Sequence, residues 1–221
     1  MGKKISLILA CLALLFVFAH KGYGEVDKEV ASFISKLEET VANLDTYSFV
    51  MESEYWKGAK HEKKISRFRF KKPSLMRTDV LEGDKKGSSV VMKKDGRIVG
   101  RNNLGFKKTM KPDDARLKNI RGYTFTQTSL SDKIGRIKKC IYEKRCAASL
   151  KTEEYMSKPA YHLHISHRGT DDDVTDEDIW FDKDNYTILK VLKFEGKAKV
   201  SDVTWREHSI NIPLDDSIFS L

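Results

Sequence analysis

From Tyr47 onward, the apolar residues of this 221-residue chain fall on every second position, and the alternation returns after each turn through most of its length. A period of two sends apolar side chains to one face of a strand and polar ones to the other, so such a chain builds a sheet with one buried face. Tyr47, Phe49, Met51 and Tyr55 alternate with Ser48, Glu52 and Glu54 before Gly58. In 65–71, Phe68 and Phe70 alternate with Arg67 and Arg69, and Pro73 breaks the run. Further runs cover 75–81, closed by Gly83-Asp84, and 89–93, closed by the strong hairpin signal Asp95-Gly96. Two more cover 97–101 and 106–110, and the pattern resumes at 161–167, 178–182, 187–194 and 199–209. Turns at this spacing indicate an antiparallel meander.

Two stretches change period. In 25–44, Val30, Phe33, Ile34, Leu37, Val41 and Leu44 recur three or four residues apart, as on an amphipathic helix that frays at Asn43 and Asp45. A second helix is expected over 131–142. Ile134, Ile137 and Ile141 share its stripe and Ser129 or Ser131 caps it, although Gly135 weakens it. From there to Pro159 the chain reads as irregular and charged, and 169–178 reads as an acidic loop. The order of helix, six strands, helix, then four or five strands gives an α+β fold: one large antiparallel sheet with two helices packed on it. A twisted sheet of about ten strands tends to curl. Its concave face is expected to carry Tyr47, Phe49, Met51, Phe68, Phe70, Val90, Met92, Leu163, Ile165, Leu192 and Phe194. Two helices do not easily cover that whole face, so the remaining apolar surface is a cavity or a partner site, or else simply core.

The start of the chain reads as an export signal. Lys3 and Lys4 precede an apolar run over 5–19, interrupted only by Ser6 and Cys11 and short for a membrane span. Gly22 and Gly24 suit cleavage before Glu25, which leaves a single domain over 25–221; Val17 and Ala19 offer a second cut before His20. An uncleaved anchor is one alternative. Another is a lipoprotein, because Ile8-Leu9-Ala10-Cys11 loosely resembles a lipobox. The formal net charge is +9, and losing Lys3, Lys4 and Lys21 leaves it positive. That balance favours anionic lipid head groups or an acidic partner over nucleic acid, since the basic residues are scattered along strands. Cys140 and Cys146 then form an even pair in an oxidising compartment and are read as a disulfide. A redox pair or half a metal site is the alternative. Six residues of continuous helix would separate them by about 9 Å, so the helix must end or turn between them, near Tyr142 or Glu143.

Signals for catalysis are sparse. His162 and His164 share one strand face, with His167 on the other, and Asp171, Asp172, Asp173, Asp176, Glu177 and Asp178 lie nearby. This pattern is read as a solvated face and turn rather than a metal site, and the loop lacks the ligand spacing of an EF-hand. The sequence contains no GxSxG, HExxH, P-loop or GxGxxG motif. No enzyme activity and no cofactor are expected.

Four segments, in order, resemble the LolA-like superfamily of periplasmic lipoprotein and lipid carriers. They are the first helix running into Leu44-Asp45-Thr46-Tyr47-Ser48-Phe49; Phe70-Lys71-Lys72-Pro73-Ser74-Leu75-Met76-Arg77; the hairpin Val90-Val91-Met92-Lys93-Lys94-Asp95-Gly96-Arg97; and Ile179-Trp180-Phe181-Asp182-Lys183-Asp184 with the closing segment 211–219. The resemblance implies an incomplete β-barrel with helices as a lid over an apolar cavity that takes acyl chains. It implies a monomer that works between donor and acceptor proteins in the two membranes. It also puts Lys72 at the position of a basic residue that sits near the mouth and helps to hold the lid. That residue is usually Arg, and Lys lacks its bidentate fork. The basic charge, the two cysteines and the charged insert over 144–158 depart from the carriers. Proteins of this shape also include envelope-stress regulators that bind a protein partner.

Overall fold

A computed structural model describes residues 26–168 and 173–221. The expected export signal, Cys11 of the lipobox-like run, and Asp171 and Asp172 of the acidic loop lie outside the described residues.

Asp27 opens the first helix, α1 (Lys28–Ala42), by accepting hydrogen bonds from the backbone N–H groups of Glu29 and Val30. Its apolar stripe buries Val30, Phe33, Ile34 and Leu37. The expected change of period follows. β1 (Thr46–Lys57), β2 (Lys60–Lys71), β3 (Leu75–Gly83), β4 (Ser89–Met92), β5 (Ile98–Arg101) and β6 (Lys107–Met110) form an up-and-down meander. After an irregular loop comes α2 (Leu130–Tyr142), capped by the Ser129 hydroxyl, which accepts from the Asp132 N–H. The chain closes with β7 (Cys146–Tyr155), β8 (Lys158–His167), β9 (Asp176–Asp182), β10 (Ile188–Glu195) and β11 (Ala198–Ile210).

All eleven strands form one antiparallel sheet in the order β6-β5-β4-β3-β2-β1-β11-β10-β9-β8-β7. It curls without closing, so β6 and β7 are its two edges. This is the architecture that the resemblance implies. β7 departs from expectation, because its stretch read as irregular. It lies at the sheet's edge, where half of its residues are exposed and only Cys146 is buried, so burial writes a weak pattern into it.

The inner face carries the main core. Phe33 of α1 packs its ring 5.0 Å from Tyr161 and 5.3 Å from Phe181. α2 buries Leu130, Ile134, Ile137 and Ile141. On the outer face, Phe219 covers Leu75 and Val91 in a small second core. The tail that carries Phe219 is pinned there: the Lys71 ammonium donates to the Leu214 carbonyl and the Asp216 carboxylate, and Arg77 donates to the Ile218 carbonyl.

One irregularity decides which side chains face inward. β10 has one more residue than β9 between Ile188, opposite Phe181, and Lys190, opposite Trp180. This bulge reverses the alternation beyond it. Val191 and Lys193 therefore turn inward and are buried, and Leu192 and Phe194 take the outer face. The expectation that Leu192 and Phe194 lie on the concave face is thereby overturned.

Candidate functional site

The inner face divides into two regions along the strands. At one end an aromatic stack fills the space. Tyr47 lies 4.8 Å from Phe70, Phe49 lies 5.1 Å from Phe68 and 4.1 Å from Trp205, and the Tyr47 hydroxyl accepts from the Leu130 N–H. Burial pushes the Tyr47 phenol up. At the other end α2 reaches the sheet only through Lys133, which pairs with Glu177, and Arg136. Loop residues Leu117 and Phe125 pack there instead, and between loop and sheet lies a cavity of about 660 Å³.

The cavity takes its apolar lining from alternate positions of neighbouring strands: Met51 and Tyr55 of β1, Val191 of β10, and Val203 and Trp205 of β11. The β3–β6 arm adds Val80, Val90, Phe106 and Met110. Gly100 of β5 leaves room for the Met110 side chain, whose Cε would lie 2.4 Å from a Cβ placed there. Of the eleven residues expected on the cavity face, Met51 and Val90 line this space. Tyr47, Phe49, Phe68, Phe70, Met92, Leu163 and Ile165 face inward but belong to the packed core. Their alternation is the same as that of the cavity residues. What separates the two groups is the position of the helices and the 111–128 loop, which period two does not encode.

Polar groups interrupt the apolar wall. The Ser66 hydroxyl, the Thr78 hydroxyl and the Trp205 indole N–H are buried on it and have no hydrogen-bond partner among the described residues. Lys133 of α2 is buried and paired with Glu177 of β9. Lys193, also buried, donates to the Tyr123 hydroxyl at 3.0 Å and stands over its ring. Burial pulls the Lys133 ammonium below its usual value. Burial works to raise the Glu177 carboxyl, but Lys133 and Lys193 outweigh it and hold it well below the usual carboxylate range. Lys133 was legible in principle, since it stands three residues after Leu130 and four before Ile137, on the buried stripe.

Lys72 holds a helix end but does not line the cavity. Its ammonium donates to the Ala42 carbonyl at 2.6 Å and to Asp45 at 3.0 Å, tying the turn after β2 to the C-terminus of α1. That contact lies at the start of β1, whereas Met51 and Tyr55 line the cavity further along the strand.

Cys140 and Cys146 are joined in a disulfide. α2 ends at Tyr142 as their spacing requires, and Lys144 turns the chain with φ +57° so that the two α-carbons come within 5.5 Å. His167 Nδ1 lies 3.7 Å from the Cys140 sulfur, so both sulfurs of this trio are already engaged in the bond. His162 and His164 both contact Asp178, at 2.8 and 2.9 Å, and His162 stacks on Trp180 at 4.3 Å. They form a hydrogen-bonded network on the outer face, away from the cavity. No helix among the described residues is long and apolar enough to cross a membrane.

No family model matches the sequence, and no curated protein is significantly similar to it. Solved structures do share its fold. An uncharacterized conserved protein from Thermus thermophilus superposes with a TM-score of 0.56 at 12% identity, over 87% of this chain and 93% of that one. The lipoprotein LppX of Mycobacterium tuberculosis superposes with a TM-score of 0.51 at 9% identity, over 86% of this chain and 99% of that one. A LolA superfamily protein from Nitrosomonas europaea aligns at 12% identity over 86% of this chain and 97% of that one, with a TM-score of 0.42. At such identities the likeness is one of fold.

Proposed function

We propose that this chain is an exported, periplasmic binding or carrier protein that holds the acyl chain of a lipid or lipoprotein in the inner-face cavity. The observation that carries this reading is the cavity itself, about 660 Å³ floored by Met51, Val90, Val203 and Trp205. Apolar clefts of roughly 300–1,000 Å³ are the usual size for small-ligand sites. A core-packing role would have filled the space, because protein interiors are close-packed. On this reading the protein binds without turnover, and donor and acceptor proteins load and unload it.

The test is a mass spectrum of whatever organic solvent extracts from gently purified protein, paired with binding of a fluorescent fatty acid to the extracted protein. We expect an acyl-bearing molecule in the extract and saturable rebinding. Met51→Asp or Val203→Asp should cut the affinity at least tenfold, because a carboxylate in an apolar site is costly. Recovery of one stoichiometric protein with no lipid, and no rebinding of the probe, would point to a regulator in place of a carrier.

A further inference from the structure

The charge around the cavity says more about its ligand than the apolar floor does. Its lining contains ten lysines and arginines and no aspartate or glutamate. Over the whole sequence, by contrast, 41 basic residues stand against 32 acidic ones, so the exclusion of carboxylates is local. Some of these cations are neutralised from outside the lining: Lys64 by Glu62, Arg116 by Asp114, and Arg136 by Asp132. Lys85, Lys108 and Lys118 form no ion pair among the described residues. Arg101 and Lys107, opposite each other, take the outer face, where Arg101 donates to Ser89. Lys108 lies opposite Gly100 on the inner face with Met110, Lys85 in the turn after β3 reaches the Arg116 carbonyl at 3.4 Å, and Lys118 follows Arg116 in the same loop, so these three cations share the cavity's rim. Like charges gathered this closely raise the local potential and attract an anion. Below that rim, the Ser66 and Thr78 hydroxyls and the Trp205 N–H have no hydrogen-bond partner among the described residues. Buried polar atoms of this kind are normally hydrogen-bonded, which leaves a polar ligand group as their natural counterpart.

From this arrangement we infer that the ligand is an anionic amphiphile, with its acyl chain on the apolar floor and a phosphate-bearing head group at the rim formed by Lys85, Lys108 and Lys118. The oxygens between chain and head group face Ser66, Thr78 and Trp205. The inference rests on the acyl-chain reading and sharpens it: a neutral or zwitterionic lipid fills the same floor but leaves the rim without its counter-charge.

The experiment compares phosphatidylglycerol with phosphatidylcholine carrying the same acyl chains, each presented in dodecyl maltoside micelles to the extracted full-length protein. Tryptophan fluorescence follows binding, since Trp205 lines the cavity. Glycerol 3-phosphate alone serves as the chainless arm. Phosphatidylglycerol is expected to bind about tenfold more tightly at low salt, and the preference should shrink as salt screens the rim. In the variant combining Lys85→Gln, Lys108→Gln and Lys118→Gln, the affinity for phosphatidylglycerol should fall to that for phosphatidylcholine, while Lys139→Gln, distant on α2, keeps the preference. Equal affinity for the two lipids in the unaltered protein overturns the head-group inference and leaves the acyl-chain reading standing. Binding of neither lipid overturns both. Glycerol 3-phosphate bound as tightly as phosphatidylglycerol shows a site for a free anion and overturns the amphiphile.

Discussion

A single covalent bond fixes where the second helix stops. The disulfide between Cys140 and Cys146 closes a loop of about seven residues, and the loss of chain entropy in the unfolded state is worth about 2–2.5 kcal/mol. Replacing both cysteines by serine should lower the unfolding free energy in urea by that amount, leave the m-value unchanged and leave the sheet formed. A loss well above 4 kcal/mol would mean that the bond organises the fold and is not a local staple. The pairing was legible from two cysteines in a chain that reads as exported, and the helix end followed from the reach of a disulfide. The buried lysines were not read the same way. Lys193 stands between Leu192 and Phe194, and a lysine flanked by two apolar residues reads as the outward member of an alternating run. Only the shape of the strand reverses it.

At the level of elements, the helices and most strands were legible because burial on one face writes a period into the sequence. α1 and the β1–β6 meander follow that period closely. Two departures have physical causes: β7 is an edge strand with little to bury, and β10 carries a bulge that no local signal marks. The bulge makes a sharp prediction. Val191→Asp, on the cavity wall, should destabilise the protein by several kcal/mol and abolish acyl-chain binding, whereas Leu192→Asp, on the outer face with Lys190, should do neither. Urea titration with probe binding decides it, and equal damage from both would place the bulge elsewhere. The tail over 211–221 gives a pH prediction. Lys71 and Lys94 hold the Asp216 carboxyl down to about 2. An ordinary Asp titrates near 3.9, so the folded state binds this proton less readily than the unfolded chain. The stabilisation from this contact is complete above about pH 4 and is lost as pH falls from about 4 to about 2. Asp216→Asn should therefore melt slightly below the unaltered protein at pH 7, and the gap should close by pH 2.

For the whole molecule, the strand order matters more than the strand count. β1, the first of the described strands, cannot pair with β11 until all the strands between them have been made, yet the two are neighbours at the middle of the sheet, with Tyr47 opposite Ile210 and Tyr55 opposite Ser201. Strands β1–β6 lie on one side of this seam and β7–β10 on the other, so β11 alone joins the halves by backbone hydrogen bonds. Contacts so distant along the chain carry a large loop-closure cost and make folding slow. While it is being synthesised, the chain can form hairpins but cannot assemble its sheet until β11, which locks it, has emerged. A protein built in this way commits to its shape late, when that seam closes.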